Sequence, residues 1–66
     1  MFNTTIGTPV QQHVRAAFAA SKAGDYRVAI REWTEVLRMH PESDGAYYYR
    51  AKAYESIEQL EKQSRI

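Results

Sequence analysis

The positions of its few glycines and prolines divide this chain into three segments of helical length. Only three glycines and two prolines occur among its 66 residues. Thr8-Pro9 is typical of a helix start, because threonine caps a helix and proline tolerates the first helical position. Gly24-Asp25 can end one helix in the left-handed conformation and cap the next. His40-Pro41 ends the second helix, since the residue before a proline avoids the α region.

Between these breaks the residues favour helix. The pattern predicts three helices, at 10–23, 26–39 and 46–64. Ser43 or Asp44 can cap the third helix, and no alternation of β-branched residues indicates a strand. Short loops make consecutive helices antiparallel neighbours. The predicted fold class is all-α, with residues 1–8 as a flexible N-terminal segment and residues 9–64 as a single helical domain.

The second helix carries the clearest apolar stripe. We expect Trp33, Ile30 and Leu37 to form the centre of the core, each contributing roughly 1.5–3 kcal/mol when fully buried. The first helix faces this stripe with small residues that allow a close approach: Ala16, Ala17, Ala19, Ala20 and Ala23.

The order of helices and turns resembles the tetratricopeptide repeat (TPR), a helix–turn–helix unit of 34 residues. The resemblance is carried by Ala17, Gly24-Asp25-Tyr26, Ala29, Trp33 and Pro41, which stand where the family has its small, aromatic and proline residues. Departures from the family pattern in the first helix are His13, Ala16 and Ala20. One repeat then occupies about residues 10–43.

The first helix of a second repeat begins at residue 44. Its Tyr47, Ala51 and Tyr54 match the aromatic, small and aromatic residues of the family, whereas Arg50 replaces a leucine. Glu58-Gln59-Leu60 replaces the Gly-x-Tyr turn of the family, so we expect one long third helix, although a turn near Glu58 stays open. The resemblance covers residues 10–57 and implies an α-α superhelix of about one and a half repeats, a helix hairpin plus a long third helix.

The resemblance also implies a function, because TPR proteins bind a peptide or a helix of a partner on their concave surface. By position in the repeat, the partner-binding groove consists of Gln11, Val14, Arg15, Phe18, Ser21, Lys22, Tyr48, Lys52 and Glu55. Val14 and Phe18 stand where some members have the Lys and Asn of a carboxylate clamp, so no such clamp is expected. Tyr48 belongs either to this groove or to the general surface. We interpret the chain as a protein–protein interaction adaptor, with a fragment of a longer TPR array as the alternative.

The third helix has apolar residues over an arc of about 200°, more than one neighbouring helix can cover. We expect Tyr47, Ala51 and Tyr54 to pack on the second helix. The remaining strip would then bind a second copy of the chain, which makes the protein a homo-oligomer. That strip consists of Tyr49, Ala53, Ile57 and Leu60.

The composition argues against several other functions. Cysteine is absent and only two histidines occur, His13 and His40, whereas a metal site needs three or four ligands. The glutamates are interpreted as solvated faces, and no phosphate loop or catalytic triad is present, so we expect neither an enzyme nor a cofactor.

Charge and hydropathy also argue against nucleic acid and membranes as partners. The net charge of +1 is far from that of a nucleic-acid-binding protein. Binding of nucleic acid through Arg15, Arg27, Arg31 and Arg38 is the less favoured alternative. No apolar run reaches the roughly 20 residues of a membrane span, and no signal peptide is evident, so we expect a cytoplasmic protein without a membrane partner.

Overall fold

The computed structural model describes residues 7–64, which form three α helices. They are α1 (Pro9–Ala23), α2 (Tyr26–Met39) and α3 (Asp44–Ser64), and no strand occurs between residues 7 and 64. The all-α class predicted from the sequence is confirmed. Most of the N-terminal segment predicted to be flexible, residues 1–6, lies outside the described residues.

The predicted helix ends agree with the structure because local capping interactions form there. The Thr8 hydroxyl accepts a hydrogen bond from the Gln11 N–H at 3.2 Å, and the Gln11 side chain accepts one from the Thr8 N–H at 3.1 Å. This reciprocal capping box fixes the start of α1. Gly24 ends α1 with φ 83°, a left-handed conformation that glycine adopts without strain.

The caps of α2 and α3 differ. Asp25 occupies the cap position of α2 as expected, but its side chain makes no capping hydrogen bond. For α3 the sequence offered Ser43 or Asp44 as the capping residue. Ser43 is the cap, because its hydroxyl accepts a hydrogen bond from the Ala46 N–H at 3.2 Å. The third helix runs without interruption through residues 58–60 to Ser64, as expected, so the alternative of a turn near Glu58 does not occur.

The helices form a single layer with α2 in the middle. α2 packs against both α1 and α3, and the shortest principal extent is 13 Å, about the diameter of one helix. Trp33, with 3% of its surface exposed, and Leu37 are buried as predicted, whereas Ile30 is only half-buried at the edge. Among residues 7–64 the buried set is small: Ala17, Ala20, Ala29, Trp33, Val36, Leu37, Ala46 and Ala53. Five of these eight are alanines, so the core contains little apolar volume.

Only part of the predicted alanine contact between α1 and α2 exists. Ala17 and Ala20 are buried, but Ala16, Ala19 and Ala23 are exposed. The reason is geometric, since residues that span most of a helical turn cannot all face one neighbour.

The prediction for the orientation of α3 is wrong. Ala46 and Ala53 face α2, whereas Tyr47, Ala51 and Tyr54 are exposed. Alanine lets the two helix backbones approach closely, and a tyrosine at the same position would hold them apart.

The same rotation of α3 changes the strip that was predicted for self-association. Ala53 is buried within the chain, and Tyr49 stacks on Trp33 of α2. Ile57 is half-buried, Tyr49 is exposed only beside Trp33, and Leu60 is exposed near the C-terminal end of α3. These four residues therefore do not form one free surface.

Candidate protein-interaction surface

Aromatic rings from all three helices meet on one face of the layer. Trp33 and Tyr49 stack with ring centroids 5.4 Å apart and an interplanar angle of 16°. Phe18 of α1 lies edge-on to both, at 5.0 Å from each. Tyr48 meets Tyr49 edge-on at 5.2 Å. Phe18 and Tyr49 thus contact the buried Trp33, and Tyr48 extends the cluster from Tyr49. We call Phe18, Tyr48 and Tyr49 the aromatic surface.

The aromatic surface combines exposure with a rigid support. Phe18 is 44% exposed and Tyr48 is 58% exposed, although each touches another ring. Edge-to-face aromatic pairs contribute about 0.5–1.5 kcal/mol beyond their burial, so the rings are held in place before any partner arrives. Exposed aromatic side chains of this kind are typical anchors of protein–protein interfaces.

The structure brings some of the predicted groove residues together and leaves others apart. Phe18 and Tyr48 lie on the same face, linked by Tyr49, which the sequence had assigned to self-association. Val14 is partly buried against the core, so little of it can contact a partner. The Gln11 side chain takes part in the cap of α1.

The polar members of the predicted groove are mostly exposed at its rim. The Lys52 ammonium lies 3.7 Å from the Glu55 carboxylate on α3. Arg15 and Lys22 are exposed on α1, and Ser21 is half-buried. Charged side chains of both signs, Arg15, Lys22, Lys52 and Glu55, are therefore exposed on the two helices that carry the aromatic surface.

A second concave region lies between the first half of α2 and the second half of α3. Two adjoining open cavities of about 310 and 290 Å³ share the residues Arg27, Ile57 and Glu61. The Arg27 guanidinium contacts the Glu61 carboxylate at 3.4 Å and joins the two helices there. Tyr54 and Leu60 of α3 contribute to the apolar lining, opposite Tyr26, Val28 and Ile30 of α2. The sequence analysis did not identify this groove, because it depends on how α3 crosses α2.

A polar contact between His13 and Glu32 links α1 to α2. His13 Nδ1 lies 2.5 Å from the Glu32 Oε1 atom, and both side chains are partly buried. The sequence pattern had indicated solvated faces for the glutamates, Glu32 among them, so the pair was not predicted. Spacing within one helix could not reveal it, since the two residues are 19 positions apart.

Contacts on the exposed side of α2 and in the turn that follows it shift the pKa values of Glu35, Arg38 and Glu42. A hydrogen bond from Arg38 lowers the pKa of Glu35, and the same contact raises the pKa of Arg38. A backbone hydrogen bond and His40 lower the pKa of Glu42. All of these shifts favour the charged form and are typical of surface ion pairs.

Residues 7–64 contain neither a group of metal-ligating side chains nor a helix that could cross a membrane. Between residues 7 and 64, no three His, Asp or Glu side chains are grouped so that they could hold a metal ion. None of the three described helices combines the length and the apolar character needed to cross a membrane.

Comparison with known proteins adds no relative. No protein family, curated protein or solved structure matches this chain. Residues 7–64 thus form an all-α arrangement of three helices with an exposed aromatic surface.

Proposed function

We propose that this chain is a protein–protein interaction module of the TPR type that binds a peptide or a helix of a partner protein. The observation that carries the proposal is the aromatic surface, in which Phe18 and Tyr49 pack on Trp33, Tyr48 packs edge-on against Tyr49, and all three rings stay exposed. The resemblance of residues 10–57 to the repeat supports it independently, since the groove predicted from the repeat includes both Phe18 and Tyr48.

The chemistry of the surface indicates the kind of segment it would bind. Three rings from two helices offer an apolar platform, and the rim of Lys22, Lys52 and Glu55 is polar. A suitable partner presents one or two large apolar side chains with charged residues beside them. One and a half repeats form a short groove, so we expect weak binding of an isolated peptide.

The proposal describes an adaptor without catalytic activity, in the cytoplasm, which also associates with itself through α3. Nucleic-acid binding is not part of it, because Arg27 and Arg38 are paired with the carboxylates of Glu61 and Glu35. If the chain is a fragment of a longer TPR array, the aromatic surface would be the first part of a longer groove.

The aromatic surface is tested with peptides selected from a random library on the native chain. Binding of the selected peptides is then measured by fluorescence anisotropy for Phe18→Ala and Tyr48→Ala chains. We expect each substitution to weaken binding at least tenfold, because each removes an exposed ring from the surface.

The matched control is Tyr54→Ala, which removes an equally exposed ring from another side of α3. Its binding should equal that of the native chain, and circular dichroism should show all three variants to be helical. Equal affinities for Tyr48→Ala and the native chain, together with weakened binding by Tyr54→Ala, would place the binding surface elsewhere.

A further inference from the structure

A stripe of exposed residues runs along α3, and no other helix of residues 7–64 covers it. Tyr47 is 48% exposed, Tyr54 is 55% exposed, and the small residue Ala51 lies between them and is exposed as well. At 100° per residue these three side chains fall within an arc of about 60°. We call them the α3 stripe.

The pattern of the α3 stripe is that of a helix that packs against another helix. The spacings of four and three residues place all three side chains along one line. An alanine between two tyrosines leaves a gap into which a side chain of a facing helix fits. The rings of Tyr47 and Tyr54 form its two raised ends.

The charges beside the α3 stripe differ between its two ends. Arg50 lies beside the N-terminal half of the stripe, while Glu58 and Glu61 lie beyond its C-terminal end. Arg50 donates one hydrogen bond to the Thr34 hydroxyl, but it pairs with no carboxylate of residues 7–64 and has further N–H donors. Glu61 already pairs with Arg27, whereas no hydrogen bond or ion pair joins Glu58 to any other residue in the described part of the chain. Glu58 is therefore an exposed carboxylate available to a cation outside the chain.

A second copy of α3 supplies that cation if it runs antiparallel. A two-fold axis near Tyr54 puts the N-terminal half of each helix against the C-terminal half of the other. Arg50 then lies opposite the partner's Glu58, and the interaction occurs twice. A parallel arrangement would instead place like charges opposite each other.

We propose that the α3 stripe is a homodimer interface in which two α3 helices pack antiparallel, with Arg50 of each copy paired to the partner's Glu58. The proposal rests on the self-association included in the proposed function and names the surface that performs it. It does not involve the aromatic surface, which stays open to another protein.

The area of the α3 stripe determines how strong a homodimer we expect. Two half-exposed tyrosines supply roughly 200 Å² of aromatic surface per copy, and stable complexes bury about 800 Å² per partner. We therefore expect a weak dimer, with a dissociation constant of tens of micromolar, on the order of that of transient complexes.

The test uses charge reversal and sedimentation equilibrium of the full chain. Arg50→Glu and Glu58→Arg each create like-charge contacts in the homodimer, so each chain alone should dissociate at least tenfold more readily than the native chain. In an equimolar mixture, Glu at position 50 of one chain faces Arg at position 58 of the other. Arg50 of the second chain also faces Glu58 of the first. Mixing should therefore restore association.

The matched control is Lys52→Glu, which makes the same change of charge on the same helix but away from the stripe. It should dimerise like the native chain, and circular dichroism should show every variant to be helical.

Several outcomes would overturn the proposal. A native chain that is monomeric at about 300 μM would remove both the self-association and this interface. A native dimer that tolerates both reversals would keep the self-association and exclude the α3 stripe. A mixture that does not recover would exclude the antiparallel pairing. Peptide binding to the aromatic surface is measured in a separate experiment. A chain that binds no peptide would contradict the proposed peptide binding and would leave the dimerisation results unaffected.

Discussion

Trp33 connects the interior of this protein with its candidate binding surface. Its ring lies between the helices, stacked on Tyr49 and edge-on to Phe18. Because most buried residues are alanines, the indole supplies much of the apolar surface that the core contains.

Replacement of Trp33 by Ala should cost about 3–5 kcal/mol, because it leaves a large cavity that neighbouring alanines cannot fill. That cost equals most of the stability expected of so small a domain. Thermal unfolding followed by circular dichroism should show no cooperative transition for Trp33→Ala. Tyr54→Ala serves as the control when the melts are recorded at low protein concentration, where the chain is monomeric. A Trp33→Ala melt shifted by only a few degrees would contradict a central role for this residue.

At the scale of the element, the rotation of α3 about its own axis decides which residues are available to other proteins. The small residues Ala46 and Ala53 face α2, and Tyr49 reaches across Trp33. The Arg50 guanidinium donates a hydrogen bond to the Thr34 hydroxyl at 3.2 Å and lies over the Tyr47 ring at 5.5 Å. These contacts hold Tyr47 on the outer side of the helix.

A matched pair of substitutions tests this rotation. Ala53→Leu should destabilise the chain by about 1–3 kcal/mol, because a larger side chain does not fit between α3 and α2. Ala51→Leu, two residues earlier on the same helix, should change stability by less than about 0.5 kcal/mol, since Ala51 is exposed. Urea unfolding at low protein concentration measures both. A larger loss for Ala51→Leu would mean that α3 packs with Tyr47 and Tyr54 inward.

For the whole molecule, the single layer of helices limits what the chain can bury alone. The helices cover one another only along their shared edges, and aromatic residues stay exposed on α1 and α3. A chain this short buries only about 60% of the surface of its unfolded form even when it is compact. Binding of a second copy adds buried surface without adding a residue to the chain.

The stability of the whole molecule should therefore depend on its concentration. If the native chain dimerises, mass action raises the apparent free energy of unfolding as the concentration increases. Between about 10 and 500 μM, we expect the Tm to rise by several degrees, since 1 kcal/mol shifts the Tm of a domain of this size by about 4–8 °C. Differential scanning calorimetry at both concentrations measures the shift. A constant Tm would contradict dimerisation.

The sequence by itself determined the number of helices, their ends and the burial of Trp33. These features follow from local interactions. Thr8 and Gln11 cap α1, Gly24 takes the left-handed conformation that ends it, and Pro41 prevents α2 from continuing. Each of these residues acts on the backbone within a few positions of it, so the helix ends can be predicted without knowing how the helices pack.

Only the tertiary structure decided which side of α3 packs on α2 and which residues meet across helices. The apolar residues of α3 cover too wide an arc for their pattern to define one face, so the fit of Ala46 and Ala53 against α2 determined the rotation. The His13–Glu32 pair and the meeting of Phe18 with Tyr49 depend on how the helices cross. Such contacts join residues far apart in the chain, and only the packing of whole helices brings them together.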